Sequence, residues 1–227
     1  GATRRIVWMF HRLHRVKYRR EAGVAAFKQG ATPLAVNHQG LLVANTINIG
    51  ADLAGMGLQA GAFSVLAPGS EYGPAKRWPA GHFAELARQL AGPVLLLGSA
   101  KEAEVCEAIA TEVNTQTPGK CQNLAGKTAL GLALSMISAT KLIVSNDSGL
   151  MHVAAALGVR QAALFGSSSP HHTPPLNPLA SVLWLKDDPA YQPPLDCAPC
   201  FERSCPLGHT RCLNDLSPAA VLARLEA

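Results

Sequence analysis

Residues 68–79 form a loop that carries two glycines and a lysine–arginine pair just before a predicted helix. Glycines let backbone N–H groups approach an anion, and the helix start adds the positive end of its dipole. Lys76 contributes a full positive charge to the same loop. This combination predicts a phosphate site. The same residues also allow Lys76 and Arg77 to be a solvated pair beside a packed Trp78.

A second candidate segment, residues 145–152, has the sequence SNDSGLMH and spans a predicted strand-to-helix turn. The N–H groups of Ser148 and Gly149 could bind a phosphate there, because the first N–H groups of a helix have no partner within it. Asp147 could accept hydrogen bonds from sugar hydroxyls, and His152 could donate to a phosphate or orient a neighbour. The alternative makes Asp147 a helix cap and His152 a core histidine.

The C-terminal segment contains four cysteines within sixteen residues. They are Cys197, Cys200, Cys205 and Cys212. In a chain interpreted as cytosolic, this cluster favours a structural zinc site over disulfides. Reduced or partly paired cysteines in a packed loop are the alternative.

Short apolar strands alternate with helices from residue 63 onward, which is typical of a parallel sheet covered on both faces. The predicted strands are residues 63–67, 93–97, 141–145, 161–165 and 181–185, and the predicted helices are 79–90, 101–112, 128–138 and 150–157. Thr128 is the predicted N-cap of the third helix. Ligands of such sheets bind beyond the carboxyl ends of the strands. Both candidate segments follow strands at that edge.

The composition of the 227 residues, 48% apolar and 15% charged, is that of a folded protein. No apolar run is long enough to span a bilayer and no signal peptide is evident, so we expect a cytoplasmic protein. Residues 1–20 hold seven basic and no acidic side chains, so the other 207 residues carry 13 basic and 15 acidic groups. The body therefore lacks the basic excess that nucleic-acid binding favours. The pattern of residues 1–20 predicts a basic amphipathic helix. This helix could lie on an anionic membrane surface or pack on its own domain.

Three segments together resemble glycosyltransferase family 9, and within it the lipopolysaccharide heptosyltransferases of type II. They are residues 68–79, 145–157 and 166–176, and the cysteine-rich residues 197–209 are similar as well. The resemblance implies a GT-B enzyme with two Rossmann-like domains, of which this chain matches the C-terminal half. It implies a basic helical remnant or linker at residues 1–62, a Rossmann-like donor-binding domain at 63–190, and a Cys-rich tail with a C-terminal helix at 191–227.

The resemblance also implies roles for individual residues. The diphosphate of ADP-heptose would be held by the backbone of Gly69 and Ser70, the ammonium of Lys76, the amides of Ser148 and Gly149, and His152. The heptose would face Asp147. The adenosine would lie near Ser99, Glu102, Lys127 and Thr128. Lys76 and Asp147 are thus the candidate catalytic residues. Neither a cofactor nor a catalytic metal is implied, because Lys76 and the helix terminus would stabilise the leaving ADP.

The implied activity is inverting transfer of L-glycero-D-manno-heptose from ADP-heptose to the lipopolysaccharide inner core, at the cytoplasmic face of the inner membrane. The family's first domain supplies a glycine-rich loop with the aspartate expected to act as general base. Residues 1–62 are too short to contain that domain, so we expect a fragment or a truncated gene product with reduced or no activity. The alternatives are a non-catalytic module that binds a nucleotide or nucleotide sugar, and a zinc-stabilised interaction element.

Overall fold

A computed structural model of the protein describes residues 53–226 and, before them, two short strands. These strands, β1 (Pro33–Val36) and β2 (Leu42–Ala44), pair antiparallel with each other. The basic helix predicted in residues 1–20 lies outside the described residues. Within the described residues, no helix has the length and apolar character needed to cross a membrane.

Six parallel strands form the main sheet, and helices cover both of its faces. The strands are β3 (Ser64–Ala67), β4 (Val94–Leu96), β5 (Cys121–Asn123), β6 (Leu142–Asn146), β7 (Gln161–Leu164) and β8 (Ala180–Leu183). The helices are α1 (Ala80–Gln89), α2 (Ala103–Gln116), α3 (Leu130–Ala139), α4 (Gly149–Ala156), α5 (Arg211–Asn214) and α6 (Pro218–Glu226). The predicted fold class, a Rossmann-like parallel sheet, is confirmed.

The structure differs from the sequence prediction at β5, at the start of α3 and at the end of α2, which runs to Gln116 rather than residue 112. Strand β5 was not predicted, because it is only three residues long and contains the polar Gln122 and Asn123. Helix α3 begins one residue later than expected, with Ala129 rather than Thr128 at its N-cap. The prediction that Thr128 is the N-cap of this helix is therefore wrong. Ala129 has an extended backbone and makes no side-chain cap bond.

The core has two layers because successive side chains of a strand point to opposite faces of the sheet. Leu66 packs on one face with side chains of α1, α2 and α6, including Phe83. Its neighbour Val65 packs on the other face with side chains of α3 and α4, including Met136. The C-terminal helix α6 contributes Val221 to the first layer, so the tail shares the core of the sheet.

The strand order β5-β4-β3-β6-β7-β8 reverses direction between β3 and β6. These two strands lie side by side in register, with Ala67 opposite Ser145. In doubly wound sheets the crevice at the carboxyl ends of such a pair is where ligands bind. The loop 68–79 leaves β3 at this point, and the turn into α4 leaves β6.

Candidate functional site

Lys76 and Asp147 meet at the carboxyl ends of β3 and β6. Lys76 closes a short 3-10 turn, Pro74–Lys76, near the end of the loop, and Asp147 directly follows β6. The Lys76 Nζ donates to Asp147 Oδ2 over 2.6 Å. The two side chains are 16% and 6% exposed, so the pair is largely shielded from water. Two residues that are distant in sequence thus form one charged centre.

The Asp147 carboxylate has a second partner that the sequence did not indicate. Ser168, in the loop after β7, donates its hydroxyl to the same Oδ2 atom over 2.7 Å. The N-cap of α4 is Ser148, so Asp147 is not the helix cap of the alternative interpretation. Its carboxylate instead joins the loops that follow three neighbouring strands, β3, β6 and β7.

His152 lies in α4 close enough to the ion pair to respond to its charges. Burial lowers the pKa of His152, Asp147 opposes this shift, and Lys76 adds to it. The neutral imidazole is therefore favoured. Ser148 and Gly149 stand at the start of the same helix, partly exposed beside Asp147. The structure thus brings together Lys76, Asp147 and the start of α4, all of which the sequence had singled out.

Gly69 and Glu102 connect the carboxyl ends of β3 and β4. Glu102 accepts hydrogen bonds from the N–H and hydroxyl of Ser99, at 2.5 and 2.7 Å. A Cβ atom at Gly69 would overlap the Glu102 side chain. The next residue, Ser70, is buried, and its carbonyl accepts from the guanidinium of Arg77 over 3.1 and 3.3 Å. Gly69, Ser99 and Glu102 therefore lie together beside the loop.

Lys127 and Thr128 lie one strand further from the ion pair, beyond the carboxyl end of β5. Lys127 Nζ donates to the carbonyl of Asn123 over 3.1 Å. Thr128 is half-buried just ahead of α3. Both residues lie at the same edge of the sheet as Ser99. That they lie near the adenosine of a bound nucleotide stays a prediction.

The cysteine-rich tail contacts the loop that carries Lys76. The carbonyl of Arg203 accepts from the N–H of Ala75 over 3.0 Å. Two cations lie over the Tyr72 ring, with Lys76 Nζ 4.9 Å and the Arg203 guanidinium carbon 5.4 Å from its centroid. Its hydroxyl donates to the carbonyl of Phe201. The tail thus supports one side of the candidate site, and Tyr72 is a further site residue that spacing alone did not reveal.

The four tail cysteines line one small cavity, together with His209. They are free thiols in this structure. Among residues 53–226, however, no three His, Cys, Asp or Glu side chains are arranged to hold a metal ion. Zinc binding stays a sequence prediction, which metal analysis of the reduced protein would test.

The fold and the site define a Rossmann-type domain whose candidate anion-binding residues lie at the topological switch point of the sheet. The family description Glycosyltransferase family 9 (heptosyltransferase) matches residues 45–210. This chain belongs to that family, as the sequence resemblance predicted.

Individual relatives are similar to this chain over part of their length. Lipopolysaccharide heptosyltransferase 2 of Escherichia coli is 46% identical over 163 residues, which cover 70% of this chain and 44% of the relative. The enzyme of the same name from Salmonella typhimurium is 53% identical over 121 residues, covering 52% of this chain and 35% of the relative. The chain therefore spans less than half the length of these curated relatives.

A solved structure of a heptosyltransferase is also similar to this chain over part of its length. The E. coli ADP-heptose lipopolysaccharide heptosyltransferase II aligns with a TM-score of 0.67 and 39% identity. The alignment covers 82% of this chain and 52% of that structure. The GT-B half expected from the sequence therefore has a counterpart of known structure.

Proposed function

We propose that this chain is the donor-binding half of an inverting heptosyltransferase that uses ADP-heptose to extend the lipopolysaccharide inner core. The observation that carries the proposal is the Lys76–Asp147 ion pair at the strand-order reversal, beside the start of α4. This position is where doubly wound sheets bind nucleotides. Relatives named lipopolysaccharide heptosyltransferase 2 supply the substrate class.

The residues divide into those that hold the diphosphate and those that face the sugar. Lys76 carries the charge that would offset the diphosphate and the leaving ADP, and the N–H groups of Ser148 and Gly149 add the positive end of α4. The backbone of Gly69 approaches the same crevice without a side chain in the way. Asp147 is the nearest carboxylate to Lys76, so a donor placed there would present its heptose hydroxyls to an acceptor group.

The reaction proposed is direct displacement at the anomeric carbon. A heptose hydroxyl of the inner-core acceptor forms the new glycosidic bond, the bond to the diphosphate breaks, and ADP leaves with its electron pair. The hydroxyl proton goes to a general base, which the resemblance places in the family's first domain. Lys76 stabilises the charge that develops on the diphosphate oxygens as the bond breaks.

We place this reaction at the cytoplasmic face of the inner membrane, with the protein in peripheral contact with the surface. The support is chemical, because seven basic residues in the first twenty suit an anionic lipopolysaccharide or phospholipid surface. Binding to vesicles with and without anionic lipid, at low and high salt, tests this part separately.

Calorimetric titration with ADP tests donor binding, and heptose transfer to a heptose-deficient core acceptor tests catalysis. We expect the chain to bind ADP, and transfer to appear or increase when a separately produced first domain is added. Failure of the chain to bind ADP or ADP-heptose would refute the proposal. ADP binding without transfer in the presence of a first domain would favour the non-catalytic module instead.

A further inference from the structure

Both ends of the Lys76 loop are attached to one buried side chain, that of Asn146. Its Oδ1 atom accepts from the N–H of Trp78 over 3.0 Å. Its Nδ2 atom donates to the carbonyl of Pro68 over 2.7 Å, with a longer contact of 3.4 Å to the carbonyl of Gly69. Residues that are ten positions apart along the chain are therefore held by a single amide group.

The position of Asn146 in the sheet explains why a side chain is needed there. Strands β3 and β6 pair up to Ala67 and Ser145, and the next residue of the β3 chain is Pro68. Proline has no N–H, so Pro68 cannot donate a ladder bond to β6. The paired register ends before Pro68, and the carbonyl of Pro68 accepts a hydrogen bond from the Asn146 side chain.

Burial makes this attachment stiff. Asn146 has no exposed surface, and its donor and its acceptor are both satisfied within the protein. Breaking one of these bonds would leave a polar group unpaired and away from water, which is energetically unfavourable. Trp78, the residue that Asn146 holds, is also buried and donates its indole N–H to the carbonyl of Leu216 over 2.8 Å.

Asn146 and Asp147 are consecutive residues that act on the same loop in different ways. Asp147 binds the ammonium of Lys76, whereas Asn146 holds the backbone two residues further on, at Trp78. A lysine side chain released from Asp147 by an incoming diphosphate would therefore remain close to the crevice. The loop backbone needs no ordering when the ligand binds, which lowers the entropic cost of binding.

We propose that Asn146 is a positioning residue for diphosphate binding, acting by holding both ends of the loop that carries Lys76. This inference rests on the proposed function, because it assigns the loop to the donor diphosphate. Asn146 itself is withdrawn beneath the loop and is not expected to touch the ligand.

The test uses Asn146→Ala with Asn177→Ala as its matched control. Asn177 also binds an N–H and a carbonyl with one amide, at Leu179 and Val159, but it lies at the amino ends of β7 and β8. We expect both variants to lower the melting temperature. Only Asn146→Ala should raise the Kd for ADP, by about tenfold, which corresponds to one lost buried hydrogen bond.

Hydrogen exchange distinguishes positioning from general destabilisation. In Asn146→Ala we expect faster exchange at Trp78 and in the loop before it, and unchanged exchange in α2. In Asn146→Asp the carboxylate still accepts from Trp78 but repels the Pro68 carbonyl, so exchange should rise at Gly69 and Ser70 while Trp78 stays protected. If Asn146→Ala does not fold, the exchange pattern of Asn146→Asp decides the question, because its added carboxylate would by itself weaken ADP binding.

An ADP Kd within twofold of wild type in the folded Asn146 variants would overturn the inference. In that case wild-type ADP binding, and its loss in Lys76→Ala, would leave the proposed function intact. If wild type itself does not bind ADP, the proposed function fails first. An equal loss of ADP affinity in Asn177→Ala would likewise overturn the inference, because general destabilisation would then explain the effect.

Discussion

The Lys76–Asp147 ion pair predicts that its two members have opposite effects on nucleotide binding. In the described structure Lys76 is committed to Asp147 at 2.6 Å, with only 16% of its side chain exposed. A bound diphosphate competes with this carboxylate for the same ammonium group. Lys76→Ala should therefore weaken ADP binding, and Asp147→Asn should preserve or strengthen it.

The magnitude follows from the kind of contact that is lost. A hydrogen bond to a charged partner contributes about 1.5–3 kcal/mol. Lys76→Ala should therefore raise the Kd for ADP by roughly 10- to 150-fold, since about 1.4 kcal/mol corresponds to a factor of ten. Asp147→Asn removes a negative charge beside the diphosphate, so the Kd should stay equal or fall, whereas heptose transfer should decrease.

Titration calorimetry measures both affinities, and thermal unfolding shows that each variant is folded. Lys76→Ala removes the ammonium from the largely buried carboxylate of Asp147 and leaves it the hydrogen bond from the Ser168 hydroxyl, so we expect some loss of stability. Lys141→Ala is the matched control, because it removes an exposed lysine from the amino end of β6. An unchanged ADP affinity in Lys76→Ala would remove Lys76 from the site. Equal weakening in Asp147→Asn would refute the competition between carboxylate and diphosphate.

Three further predictions concern the surroundings of the site. A Cβ at Gly73 would overlap the carbonyl oxygen of Arg203, so Gly73→Ala should separate the tail from the loop. Calorimetry should then show weaker ADP binding, and denaturation should show that the free energy of unfolding falls by about 1–3 kcal/mol. Burial lowers the pKa of His152 below 6.5, so the unfolded chain binds more protons and the free energy of unfolding should fall as the pH drops below about 6.5. Denaturation curves of His152→Gln should show a smaller loss of stability over this pH range, and an equal loss would contradict the prediction. Burial raises the pKa of Cys106 and Cys121 to about 12, so alkylation of the folded protein at pH 8 should leave both thiols unmodified, whereas alkylation of the unfolded protein should modify them. Mass spectrometry that finds them modified in the folded protein would contradict this prediction.

The elements with a strong apolar period were predictable from the sequence alone. Strands β3, β6 and β7 were expected near their observed bounds, because runs such as Leu142–Asn146 are buried on both faces and read as continuous apolar segments. Strand β5 was missed because it has three residues, two of them the polar Gln122 and Asn123, and so shows no apolar run. The N-cap at Ala129 was missed because Thr128 has the better side chain for a cap, but the backbone does not place it there.

The candidate site was predictable in part, because glycines, a lysine and an aspartate after strands already indicate an anion site. Partners across the loops were not predictable. Ser168 stands in a run of three serines, and nothing in the run shows that this one binds Asp147. Asn146 lies in the candidate segment 145–152, yet its role depends on Pro68 and Trp78, which lie in the loop after a different strand.

The sequence by itself determined which segments become strands and helices and which residue types stand at the strand ends, because burial and turn preferences act over a few neighbouring residues. Only the tertiary structure decided that Lys76 contacts Asp147 and that one amide holds both ends of the Lys76 loop. Those contacts depend on strand order and register, which the packing of the whole sheet sets and no local stretch of chain encodes.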